Sequence, residues 1–202
     1  MMKSCIAAAV IIAALDLSML FADTSAMPAN RQLLLLRHAK AVIGGHDMED
    51  AARPLAERGE RAAQAMGRWL ADHDLAPDLV LCSPACRTRQ TWEIASRQLP
   101  VAETRFLDEL YDFGDGAALL RALRAQGGAA RRVLLVTHNP ATQGLALSLP
   151  GQGERALLQQ IAAKYPTAAL TVMTLPGPDW SATADGAARL EAFIRPRDIM
   201  SG

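Results

Sequence analysis

Apolar positions along this chain fall into two patterns, short unbroken runs and longer stretches at helical spacing. Leu33-Leu34-Leu35-Leu36, the Leu-Val-Leu within Asp78–Cys82, and Val133-Leu134-Leu135-Val136 are the unbroken runs. Runs this short read as strands buried on both faces, although periodicity alone does not separate them from a turn of buried helix. After the first run, Gly44-Gly45 and the polar stretch from His46 to Asp50 make a loop, which Arg53-Pro54-Leu55 ends. Ala62, Ala65, Met66, Trp69 and Leu70 then recur at helical spacing and predict a helix with one face on a core, His73 lying at its polar end.

The second run stops at Ser83-Pro84, which reads as an N-cap followed by proline at the first helical position. The helix is expected from about Ala85 to Arg97, with Thr91, Ile94 and Ala95 inward. Val101–Phe106 reads as a short extended segment, and Ala117–Ala125 as a helix closed by Gly127-Gly128. The third run ends at Thr137-His138-Asn139-Pro140, again a cap, a proline and a helix. Tyr165–Leu175 is rich in β-branched residues and predicts a strand. Gly177-Pro178 makes a turn, Trp180 and Ala182 are expected to pair back, and Ala188–Ile194 is a final strand. The last strands are close in sequence, which predicts antiparallel partners at the edge of the sheet. The whole predicts an α/β fold, a three-layer α/β/α sandwich with a mostly parallel central sheet and an antiparallel edge.

Composition narrows the function classes. The 202 residues suit one domain, and 21 basic residues balance 21 acidic ones, so the basic surplus a nucleic-acid partner favours is missing. Any anion site must be local. Cys5, Cys82 and Cys86 have no companion pair at metal-ligand spacing and are too few for a disulfide scaffold. Cys82, inside an apolar run, reads as a small buried hydrophobe.

Residues 1–26 do not match the rest. Lys3 and the apolar run from Cys5 to Ala22 resemble a signal peptide, yet Asp16 interrupts the run and the positive region is one lysine. We expect a signal-like or dispensable extension over 1–26, with Met27 as an alternative start, and a domain over 27–202. The expected location is cytoplasmic, or periplasmic or secreted if the segment is a signal. No stable membrane association is expected, because the run is interrupted too early for a convincing transmembrane helix.

Each buried strand ends at a polar device: Arg37-His38, Ser83 with Arg87, and His138-Asn139. In a doubly wound sheet such ends share one edge, so the groups can converge. Two arginines and two histidines would make a compact cationic site, and arginine forks match tetrahedral oxyanions, which points to phosphate. A histidine among arginines is biased toward its neutral form, leaving a ring nitrogen free to attack phosphorus. Taken singly, Arg37-His38 could equally be a strand terminus meeting water and Arg87 a surface arginine.

Arg37-His38-Ala39, Ser83-Pro84-x-x-Arg87-x-x-Gln90-Thr91 and Thr137-His138-Asn139-Pro140 together resemble the histidine phosphatase superfamily, also called phosphoglycerate mutase-like. Arg53-Pro54-Leu55-x-x-Arg58-Gly59 and Lys164-x-Pro166-Thr167-x-Ala169-Leu170 are similar to its small SixA-type phosphohistidine phosphatase branch. The resemblance spans about Leu33 to Asp198. It implies His38 as the nucleophile that becomes phosphohistidine, with Arg37, Arg87 and His138 holding the phosphoryl oxygens and no metal or other cofactor. Arg53 is then either a substrate contact or a loop anchor, and Asn139 either a ligand or a helix cap. Glu109, in Leu107-Asp108-Glu109, resembles the glutamate that protonates the leaving group in the mutase-like branch, the alternative being a surface carboxylate. The resemblance implies Ala-Ser as the usual pair after the Tyr segment where this chain has Phe113-Gly114, so substrate contacts there are expected to differ. The implied partner is a phosphohistidine protein or a small phosphoester. A phosphate-binding module without turnover is the reading from another class.

Overall fold

Leu33, Leu34, Leu35 and Leu36 are all fully buried, as a strand covered on both faces requires. They form most of β1 (Arg31–Arg37), inside the seven-stranded sheet of this computed structural model, which describes residues 30–45 and 48–200. The chain continues through α1 (Glu57–Asp72), β2 (Leu79–Cys82), α2 (Cys86–Ala95), β3 (Glu103–Phe106), α3 (Ala117–Gln126) and β4 (Arg132–Thr137). After these come α4 (Ala141–Ser148), β5 (Pro150–Gly153), α5 (Arg155–Ala163), β6 (Leu170–Leu175), β7 (Ala188–Ile194) and α6 (Pro196–Ile199).

The strand order is β3-β2-β4-β1-β6-β7-β5. Alternate side chains of the central strands feed two cores. Leu33, Leu35, Val133 and Leu135 pack with α3, α4 and α5 on one face. Leu34, Leu36, Leu134 and Val136 pack with α1, α2 and α6 on the other. The result is the expected α/β/α sandwich. The first four strands are parallel, and β6 runs antiparallel to both β1 and β7.

The expected antiparallel pairing of the last two strands is present, but β6 lies inside the sheet and β5 forms its margin, parallel to β7. Pro150-Gly151-Gln152-Gly153 has almost no buried side chain and a register shift against β7, so no alternation betrays it as a strand. Trp180 and Ala182 do not pair back. They form a 3-10 turn in which the buried Trp180 indole donates to Ala130 O at 2.7 Å. The helix after β2 is shorter than expected, ending at Ala95 before a 3-10 turn, Ser96–Gln98.

Neither strand-end polar residue is a helix cap. The caps are Ala85 and Pro140, which leaves the side chains of Ser83 and Asn139 for other partners. The extension expected over residues 1–26 lies outside the described residues. Among the described residues no helix is long and apolar enough to cross a membrane.

Candidate active site

Parallel pairing brings the C-terminal ends of β1, β2 and β4 to one sheet edge. Arg37 stands opposite Thr137, His38 N donates to Thr137 O at 3.0 Å, and Ser83 N donates to Val136 O at 3.0 Å. His38, His138, Arg37 and Arg87 therefore meet, as the sequence implied. The two imidazole centroids are 5.1 Å apart. His38 Nδ1 donates to Ala39 O at 2.7 Å, which makes Nε2 the ring atom carrying the lone pair. Ala39 is held in turn: its N–H donates to Thr91 Oγ1 at 2.9 Å, and that hydroxyl donates to Arg87 O at 2.6 Å. One threonine thus ties the nucleophile candidate to the first turn of α2. A close approach supports the same segment, because a Cβ on Gly59 would stand 2.1 Å from Lys40 O.

His138 is fully buried, with Nε2 2.8 Å from Ser83 Oγ. Among the described residues its Nδ1 is buried without a partner, as are Arg37 Nε and Asn139 Oδ1. Such orphans are rare in proteins, and three of them at one strand-end cluster call for a role beyond packing. Burial is the main force lowering both histidine pKa values, to about 4 for His38 and about 3 for His138. For His38, Arg87, Arg37 and Arg53 act in the same direction, so charge repulsion assists burial rather than leading it. Both rings are neutral at pH 7. Burial also raises the Cys82 thiol to about 12, which fits its place as an inert core residue.

Sequence reasoning missed Asp50, Tyr111 and the true partner of Ser83. Asp50 starts a short 3-10 turn, Asp50–Ala52, and its carboxylate reaches Arg53 Nη1 at 2.7 Å and Arg87 Nη2 at 2.9 Å. The Tyr111 hydroxyl donates to the same carboxylate at 2.5 Å, and its ring meets His138 edge-on at 5.2 Å. These bonds hold the Asp50 carboxyl far below the usual carboxylate range. The spacing Asp50-x-x-Arg53 was the one available signal for Asp50. Phe113 also lies 5.2 Å from the His138 ring and is exposed.

Arg53 is both loop anchor and site neighbour: Nε and Nη2 donate to Val42 O, while Nη1 faces Asp50. Asn139 Nδ2 donates to Gln143 Oε1 at 3.0 Å and Tyr165 O at 3.3 Å. Tyr165 O also takes Arg37 Nη1 at 2.6 Å, so one carbonyl braces both residues. Glu109 is not drawn into the cluster by any bond. It is exposed two residues before Tyr111, with no side-chain hydrogen bond or ion pair among the described residues. Among the described residues, no group of three or more His, Cys, Asp or Glu side chains is placed to hold a metal ion.

Comparison with known proteins matches residues 33–117 to the histidine phosphatase superfamily (branch 1). An uncharacterized protein of Mycobacterium tuberculosis is 34% identical over 168 residues, covering 80% of this chain and 100% of its own. A solved structure from Nakamurella multipartitia, assigned as the phosphohistidine phosphatase SixA, is 33% identical with a TM-score of 0.72. The match covers 84% of this chain and 98% of that one. The protein histidine phosphatase SixA complexed with tungstate is 26% identical with a TM-score of 0.66, over 83% and 98% of the two chains. Shared fold, near-complete coverage and the converging strand ends lead to one conclusion: the chain belongs to the histidine phosphatase superfamily, whose members are phosphatases.

Proposed function

We propose that the protein is a metal-independent phosphatase that works through a phosphohistidine intermediate on His38 and takes phosphohistidine in a signalling protein as its substrate. The observation that carries the reading is His38 itself: a neutral imidazole whose Nδ1 is committed to Ala39 O, which leaves the lone pair on Nε2 under the influence of Arg87, Arg37 and Arg53. In the first step the Nε2 lone pair forms an N–P bond as the bond to the leaving group breaks, the leaving group keeping the electron pair. Water then attacks phosphorus, the N–P bond breaks and phosphate departs with His38 restored. Arg37, Arg87 and Arg53 supply the positive charge that balances the equatorial oxygens, so the step needs no metal charge. In the tautomer where Ser83 donates to Nε2 of His138, the Nδ1–H becomes a further donor to phosphoryl oxygen.

Two features support a protein substrate. An imidazole leaves phosphorus with less help from an acid than an alkoxide does, and among the described residues no carboxyl outside the low-pKa Asp50 is bonded into the cluster. Exposed Ile43, beside the carbonyl that anchors Arg53, and exposed Phe113 give the site an apolar rim suited to a folded partner. The SixA structure holding tungstate, a tetrahedral oxyanion, supports the phosphate assignment. A cytoplasmic location goes with this reading.

The test is to incubate the full chain separately with a phosphorylated histidine carrier protein and with small phosphoesters. Faster turnover of the carrier protein is expected. Preference for small esters would favour a broad phosphomonoesterase, and no turnover of either would favour a phosphate-binding module.

A further inference from the structure

The side chain nearest to filling the phosphate site is one of the protein's own. Asp50 bridges the two arginines with its carboxylate, Oδ1 to Arg53 Nη1 at 2.7 Å and Oδ2 to Arg87 Nη2 at 2.9 Å. Its backbone carbonyl takes Arg87 Nη1 at 2.6 Å, and Tyr111 donates a hydroxyl to Oδ2 at 2.5 Å. One carboxylate reaching two guanidinium groups repeats what two oxygens of a phosphoryl group would do. The contrast with Arg37 is direct: among the described residues Arg37 bonds only a backbone carbonyl and keeps a buried, unpartnered Nε, whereas both terminal nitrogens of Arg87 are committed to Asp50.

Burial explains why such an internal anion exists. Arg87 is 3% exposed, and a buried guanidinium without a counter-charge is costly. Asp50 is 49% exposed, so its carboxylate can swing into water when a more highly charged anion arrives. A phosphoryl dianion offers the arginines more charge and more acceptor oxygens than one carboxylate does. A monoanionic carboxylate ligand offers no more than Asp50 already gives.

We propose that Asp50 is a specificity-determining residue, an internal competitor that occupies the Arg53–Arg87 pair and yields to phosphoryl dianions while excluding monoanions. The proposal rests on reading the site as phosphate-binding, and its test does not depend on turnover. Calorimetry measures inorganic phosphate binding to the full chain and to Asp50→Ala, Asp50→Asn and Tyr111→Phe. Removing the competitor is expected to tighten phosphate binding about tenfold in both Asp50 variants, the weight of roughly one charge-assisted hydrogen bond. Tyr111→Phe loosens Asp50 without removing it, so a smaller tightening is expected, and the variant serves if the Asp50 variants fold poorly. Acetate should compete with phosphate in Asp50→Ala and not in the unaltered protein. Weaker or unchanged phosphate binding in the variants overturns the proposal, because Asp50 would then only orient Arg87. Tighter binding in a protein that hydrolyses nothing keeps the proposal and removes the phosphatase reading. No phosphate binding by any form overturns both.

Discussion

Ser83→Ala removes one oxygen atom and separates two roles of the bond to His138. Ser83 and His138 are both fully buried, and the Oγ to Nε2 distance is 2.8 Å. The small cavity left is less important than the imidazole nitrogen left without a partner, which costs about 1–3 kcal/mol. For a domain of this size each kcal/mol lowers Tm by about 2–4 °C, so a fall of roughly 2–12 °C is expected in a thermal melt. The kinetic effect has a separate origin. At pH 7 His138 is neutral, and in the tautomer where Ser83 donates to Nε2 the ring proton sits on Nδ1, where a phosphoryl oxygen can use it. Without the hydroxyl either tautomer is open, and kcat/KM is expected to fall by about tenfold to a hundredfold, or roughly 1.4–2.8 kcal/mol. Both measurements are made on the same preparation. A Tm change below about 1 °C together with unchanged kcat/KM would refute the claim that Ser83 sets the state of His138.

Other perturbations test the surroundings. His38 should titrate near pH 4 rather than at the ordinary 6.5, read by NMR of its ring protons; a midpoint at 6.5 contradicts its burial among arginines. Because His38 and His138 bind protons less readily when folded, the unfolded chain takes up more protons as pH falls from about 6.5 to about 4. The urea midpoint is therefore expected to be lower at pH 5 than at pH 7, with a smaller difference in His38→Gln; an unchanged difference would assign the effect elsewhere. Gly59→Ala must push α1 away from Lys40 O, a cost of about 1–3 kcal/mol visible as a lower Tm, and an unchanged Tm would show that the approach relaxes freely. Glu109→Gln should slow hydrolysis of an alkyl phosphate more than that of an activated aryl phosphate if this exposed carboxyl protonates leaving groups, and equal slowing removes it from that role.

What could be read from the sequence depended on whether a feature repeats along the chain. Leu33–Leu36 and Val133–Val136 announced buried strands because both their faces are covered, and their polar ends announced a shared edge. β5 left no such trace, since a short marginal strand of Pro, Gly and Gln buries too little to create a pattern. Ser83 looked like a cap because serine before proline at a strand end is ordinary helix grammar, and only the third dimension shows His138 beside it. Asp50 and Tyr111 are far apart in sequence and sit in stretches with no period. Their meeting with Arg87 is set by the packing of separate loops, which local spacing does not encode.

The mechanism stands on His38 carrying the phosphoryl group. Acid-free quenching of the full chain during turnover, followed by mass spectrometry of its peptides, tests this directly. One acid-labile phosphoryl group is expected on the peptide containing Arg37-His38-Ala39, absent from His38→Ala, which should lose turnover. A phosphoryl group on another residue, or turnover unchanged in His38→Ala, would contradict it.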